Sequence, residues 1–212
     1  MKRTLLYSFA KTFLPWFFNF LMPNHIIHEE YMPQNGGVVL CSNHTSNTDP
    51  VRLAFTQKRQ IFYMAKKELF QNKFVGAVIS ALGAFPVSRG RSDIGAINLA
   101  RQHLQYGDVL GVFIEGTRSK DGSLLRPKSG AVMLAKKCNV PILPCCITAK
   151  GGGLPKLFRR CVVAYGKPIF PDELGIEHGK QSELRAASEV VMGRIAELRK
   201  IGLEEFEDGK VK

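Results

Sequence analysis

The chain has 212 residues, 45% of them apolar, which suits one domain around one buried core and leaves little room for two. Lys plus Arg outnumber Asp plus Glu by 30 to 18, a formal charge of +12 that favours phospholipid surfaces, phosphorylated substrates, acidic carrier proteins or nucleic acid without choosing among them. The cysteines (Cys41, Cys138, Cys145, Cys146, Cys161) are odd in number and lack any CxxC, which excludes a disulfide framework and a cysteine zinc site and implies reduced thiols of a cytosolic compartment.

In chain order, Lys2 and Arg3 precede an apolar stretch, but Lys11 and Pro15 interrupt it and no small-x-small cleavage site follows, so it is not read as a signal peptide. The charge-free run from Thr12 to Asn24 is shorter than the ~20 residues that span a bilayer. At helical spacing, Thr4, Ser8, Lys11, Thr12, Pro15 and Asn19 share a narrow strip, and Phe9, Phe13, Trp16, Phe17, Phe20 and Leu21 lie opposite. Residues 1–24 are therefore expected to form an amphipathic helix in a membrane interface, and residues 25–212 the remaining domain. His25 to Pro33 reads as a connector.

Apolar strand-like runs follow at Gly37–Cys41, Ile61–Ala65, Ala84–Val87, Val109–Ile114, Val140–Ile147 and Cys161–Tyr165. Helical stretches separate most of them. Asp49-Pro50 resembles an N-cap with Pro at the first helical position, Asp93 is placed to cap Ile94–Tyr106 before Gly107, and Leu69–Leu82 reads as a helix. Lys156-Leu-Phe-Arg159-Arg160, after a glycine triplet, reads as an exposed loop against lipid headgroups. A last helix opens at Ser182 and is expected to close at Arg199, Lys200 and Gly202. The fold class is thus α/β: a single domain with a largely parallel central sheet flanked by helices, plus the interfacial helix.

The reactive side chains fall directly after strands: His44 after the first, Lys66 after the second, Arg89 after the third, and Glu115 with Arg118 after the fourth. Carboxyl ends of parallel strands share one edge, where open α/β folds bind ligands. In Asn43-His44-Thr45-Ser46-Asn47-Thr48-Asp49 a curled loop brings His44 and Asp49 together, so that Asp49 orients the imidazole as a general base toward a substrate hydroxyl. Taken alone, an N-cap Asp49 and a polar loop His44 explain the same spacing. Glu115-Gly116-Thr117-Arg118 sets a guanidinium and a flexible glycine where an anion can be gripped. Lys66 and Arg89 add positive charge, although either alone is more readily a solvated surface residue than a ligand contact. Two ligands with no third at matching spacing are too few for a metal, so neither a metal nor a resident cofactor is expected. No RNA-binding signature accompanies the basic residues, so nucleic acid is not an expected partner.

These segments resemble the glycerolipid acyltransferase family. Asn43-His44-xxxx-Asp49 matches its first motif and Gly83-xx-Phe85 to Arg89 approximates its second, with Ser88 where an acidic residue is common. Phe113-Ile114-Glu115-Gly116-Thr117-Arg118-Ser119 matches the third with Ile114 replacing a proline, and Val140-Pro141-Ile142-Leu143-Pro144 the fourth. The resemblance implies a peripheral enzyme on the cytoplasmic face of a membrane, moving an acyl group from acyl-CoA or acyl carrier protein to lysophosphatidic acid. It implies His44 as base, Asp49 as its partner, and Lys66, Arg89, Glu115, Gly116, Thr117 and Arg118 around the acceptor phosphate and glycerol. The alternatives are another lysophospholipid or lipid alcohol as acceptor, or a non-catalytic basic membrane-binding protein.

Overall fold

The computed structural model describes residues 15–87 and 94–211. The helices are α1 (Pro15–Leu21), α2 (Asp49–Thr56), α3 (Lys73–Ala81), α4 (Ile94–Gln105), α5 (Gly130–Cys138) and α6 (Gln181–Glu207). The strands are β1 (Asn24–Ile27), β2 (Val38–Ser42), β3 (Ile61–Lys66), β4 (Ala84–Val87), β5 (Val109–Phe113), β6 (Ile142–Ala149) and β7 (Cys161–Tyr165). They form one sheet of order β1-β7-β6-β2-β5-β3-β4. Strands β2 to β6 are mutually parallel, while β7 runs antiparallel to β6 and carries β1 parallel to itself.

Every residue of β2, β6 and β7 is buried, as expected of continuous apolar runs covered on both faces. Alternation divides the core. Val39, Cys41, Phe62 and Leu110 pack with residues of α4, α5 and α6, whereas Val38, Leu40, Ile61 and Val109 pack with Leu53 of α2 and Met32. Five carboxyl strand ends therefore share one edge. The reversal at β7 brings the starts of β7 and β1 to that same edge, since Ala149 pairs with Cys161 and Asn24 with Cys161.

Four local expectations need correction. The connector from His25 contains β1, a short edge strand paired with β7. The helix expected over Leu69–Leu82 is a 3-10 turn at Lys67–Phe70 followed by α3, because the Asn72 side chain accepts from the Val75 amide at 3.1 Å and starts a new helix. The N-cap of α2 is Thr48, not Asp49. The final helix does not stop at Gly202 but continues to Glu207. A Cβ at Gly202 would meet Thr148 Oγ1 at 2.7 Å, so this glycine permits close packing of α6 on β6. Of the helix expected over residues 1–24, the described part is α1, with Trp16, Phe17 and Phe20 exposed and Phe18 stacked on Phe55; residues 1–14, like Ser88, Arg89 and Asp93, lie outside the described residues. Among the described residues no helix is long and apolar enough to cross a membrane.

Candidate active site

Where β2 ends, the side chain of Asn43 continues the sheet. Its amide nitrogen donates to the Ile147 carbonyl at 3.0 Å and its Oδ1 accepts from the Ile147 N–H at 2.8 Å, a backbone-like pair with β6 that anchors the next residue. That residue is His44. Its Nδ1 lies 2.9 Å from Asp49 Oδ2, which also accepts the Thr45 and Ser46 amides at 2.7 Å each. Asp49, fully buried in the first turn of α2, thus turns back to organise the loop before its helix. Three donors on one oxygen suit a carboxylate. With Nδ1–H donated to Asp49, a neutral imidazole presents the Nε2 lone pair, and Nε2 has no hydrogen-bond partner among the described residues. The ring is steadied by stacking on Phe113, centroids 3.9 Å apart.

The segment after β5 is laced to the same loop. Ile114 N–H donates to the Ser42 carbonyl at 3.1 Å, and Ser119 N–H to the His44 carbonyl at 2.8 Å. Between these points Gly116 takes φ +70°, a left-handed conformation that closes a turn from its own N–H to the Phe113 carbonyl. Glu115 is 1% exposed, and its Oε1 accepts the His44 amide at 3.3 Å. Burial pushes its carboxyl up to about 7, against the lowering effect of the His44 and Leu125 amides.

A family model described as Acyltransferase matches residues 24–148, more than half of the chain. The chain belongs to the acyltransferase family. The Bacillus subtilis 1-acyl-sn-glycerol-3-phosphate acyltransferase is 31% identical over 176 residues, covering 82% of this chain and 86% of that protein. The Streptococcus pneumoniae protein of the same name is 36% identical over 113 residues, a local match covering 52% of this chain and 41% of that one. The crystal structure of the 1-acyl-sn-glycerophosphate acyltransferase PlsC from Thermotoga maritima superposes with a TM-score of 0.73 at 25% identity, covering 97% of this chain and 81% of that one.

In this acyltransferase the matched span runs from β1 nearly through β6, and so includes His44, Asp49 and the Glu115–Ser119 turn. Gly116, Thr117 and Arg118 are exposed on that turn, and Arg118 forms no ion pair with a described residue. Lys66 is the exposed last residue of β3, on the strand beside β5 at the same edge. Arg89 lies outside the described residues. Three contributors are not legible from residue types. Asn43 belongs to a motif, but its bond to Ile147 needs the β2–β6 pairing. Phe113 reads as strand core in the sequence and is the platform under the imidazole in the fold. The Pro127-Lys128 dipeptide carries no sequence signal, yet the Cγ of Lys128 would lie 3.2 Å from a Cβ at Gly116, so its stem borders the turn.

Proposed function

We propose that this acyltransferase moves a fatty acyl group from an acyl thioester, acyl-CoA or acyl carrier protein, to the 2-hydroxyl of 1-acyl-sn-glycerol-3-phosphate, giving phosphatidic acid at a membrane surface. The observation that carries the reading is the open Nε2 of a His44 ring braced by Asp49, at the edge where Arg118 and Lys66 emerge. His44 Nε2 removes the proton of the acceptor hydroxyl as that oxygen attacks the thioester carbonyl. The tetrahedral intermediate collapses, the C–S bond breaks, and the thiolate leaves with the proton that His44 held. Asp49 stabilises the imidazolium formed between these steps. The amides of Thr117 and Arg118 make no hydrogen bond to a described residue, and beside the left-handed Gly116 they are candidate donors for the oxyanion.

Arg118 and Lys66 are suited to the acceptor phosphate, with Arg89 as a further candidate, while Gly116 and Thr117 line the approach. Glu115, bonded to the His44 backbone, acts on the acceptor side chiefly by holding the base in place. The exposed aromatic side chains of α1 suit an interface, and the five unpaired cysteines suit the cytoplasmic side. The test is a product assay by mass spectrometry, offering the purified chain a panel of lysolipids with each donor. Phosphatidic acid is the expected product, and another phospholipid formed in preference would reassign the acceptor. His44→Ala is expected to abolish turnover with lysolipid binding retained, and a fully active variant would remove the base.

A further inference from the structure

The loop between β6 and β7 carries side chains that the proposed chemistry leaves unused. Leu157 and Phe158 are 54% and 58% exposed, flanked by exposed Lys156, Arg159 and Arg160. Phe158 sits at φ +59°, a conformation bulky residues rarely adopt, and its N–H donates to the Leu21 carbonyl at the end of α1 at 2.7 Å. Its ring meets Phe20 edge-on, with centroids 5.5 Å apart. Trp16 and Phe20 are 72% and 67% exposed, so the loop and α1 present one aromatic surface.

We propose that the Lys156–Arg160 loop is a second contact with an anionic bilayer, inserting Leu157 and Phe158 beside the aromatic side chains of α1 and setting Arg159 and Arg160 against headgroups. This rests on the membrane reading above. Charge selects the occupant: residues 122–171 and residues 1–28 contain no Asp or Glu, so both contributors to the surface lack any carboxylate that would repel anionic lipid. Location agrees, because the loop leaves the carboxyl end of β6 and α1 precedes the start of β1, both on the edge that holds His44. The surface is also joined to the catalytic loop. Arg52, almost wholly buried one turn after Asp49, donates to the Pro23 carbonyl at 3.2 Å, to Asn24 Oδ1 at 2.8 Å and to the Lys156 carbonyl at 3.3 Å. A bilayer seated on the loop and α1 would therefore lie beside the site that takes its lipid.

The test is vesicle flotation of the full chain on phosphatidylcholine with or without phosphatidylglycerol. Leu157→Ser with Phe158→Ser is expected to lower partition into both vesicle types by about tenfold or more. Arg159→Gln with Arg160→Gln is expected to cut only the preference for phosphatidylglycerol, by about thirtyfold. Turnover of a short-chain, water-soluble lysophosphatidate should be unchanged in both, which reports on folding; if the apolar pair fails that check, the arginine pair alone decides. Parental partition in the folded variants overturns the proposal while leaving the membrane reading intact. A parent chain that binds no vesicle sinks both. Normal partition with selective loss of carrier-protein-dependent turnover overturns it in favour of an acidic protein partner.

Discussion

Replacing Asp49 by Asn isolates the charge of the carboxylate from its geometry. Asp49 Oδ2 accepts from His44 Nδ1 at 2.9 Å and from two backbone amides at 2.7 Å, while Oδ1 has no partner among the described residues. An Asn carbonyl can take the position of Oδ2 and leave its NH2 where Oδ1 lies, so the loop keeps its three bonds. What is lost is the attraction between a carboxylate and the imidazolium formed during transfer. Charge centres about 4 Å apart at an effective dielectric of about 20 interact by roughly 4 kcal/mol. The amide dipole recovers part of that, so kcat should fall by about 100- to 1,000-fold with KM for the acceptor little changed. Following the released thiol continuously measures both constants. Asp49→Ala, which strands three buried or partly buried donors, should instead destabilise the fold by several kcal/mol, read as a lower Tm. If Asp49→Asn keeps kcat within about threefold of the parent, or is slow only through a raised KM, the carboxylate is a loop brace and not a partner in catalysis.

Glu115→Gln tests the buried carboxyl. Because burial raises its pKa to about 7, the folded chain holds this proton where the unfolded chain has lost it, and stability falls as pH rises from the ordinary carboxylate range through 7. Gln does not ionise, so its Tm advantage over the parent should grow between pH 5 and pH 8, by roughly 1–3 kcal/mol in stability, and a constant difference would refute the buried proton. Arg118→Ala should raise KM for the phosphorylated acceptor by about ten- to 100-fold with kcat nearly preserved, and an unchanged KM would remove the phosphate role. Gly202→Ala should lower stability by about 1–3 kcal/mol in thermal unfolding, since the clash with Thr148 outweighs the helix propensity of Ala; a Tm equal to or above the parent's would refute the close-packing argument.

The parallel strands were legible because each is a continuous apolar run bounded by turn residues, and β2, β3, β4 and β5 each lie within a residue or so of the expected run. The direction of β7 was not legible, since Cys-Val-Val-Ala-Tyr buries equally well in either orientation. Strand β1 escaped because four residues with partly exposed side chains show no period. Gly202 misled for a physical reason: a glycine that ends a helix and one that lets a helix approach a strand look identical without the strand.

The candidate site shows why spacing alone is a weak guide. His and Asp five residues apart occur twice in this chain, and both pairs close to the same geometry, Nδ1 to Oδ2 at 2.9 Å: His44 with Asp49, and His103 with Asp108. The second pair joins the end of α4 to the start of β5, at the amino ends of the parallel strands. His103 stacks with Phe62 and Phe85 at centroid distances of 4.1 and 5.5 Å and is 5% exposed, so its ring fills the core. Among the described residues His44 stacks on Phe113 alone, and its loop is laced to the Gly116 turn at the carboxyl edge, with Arg118 and Lys66 close in the topology. An imidazole held by a carboxylate is a strut at one edge of this sheet and a candidate base at the other. The strand that precedes His44, more than the five-residue interval, is therefore what made the site readable.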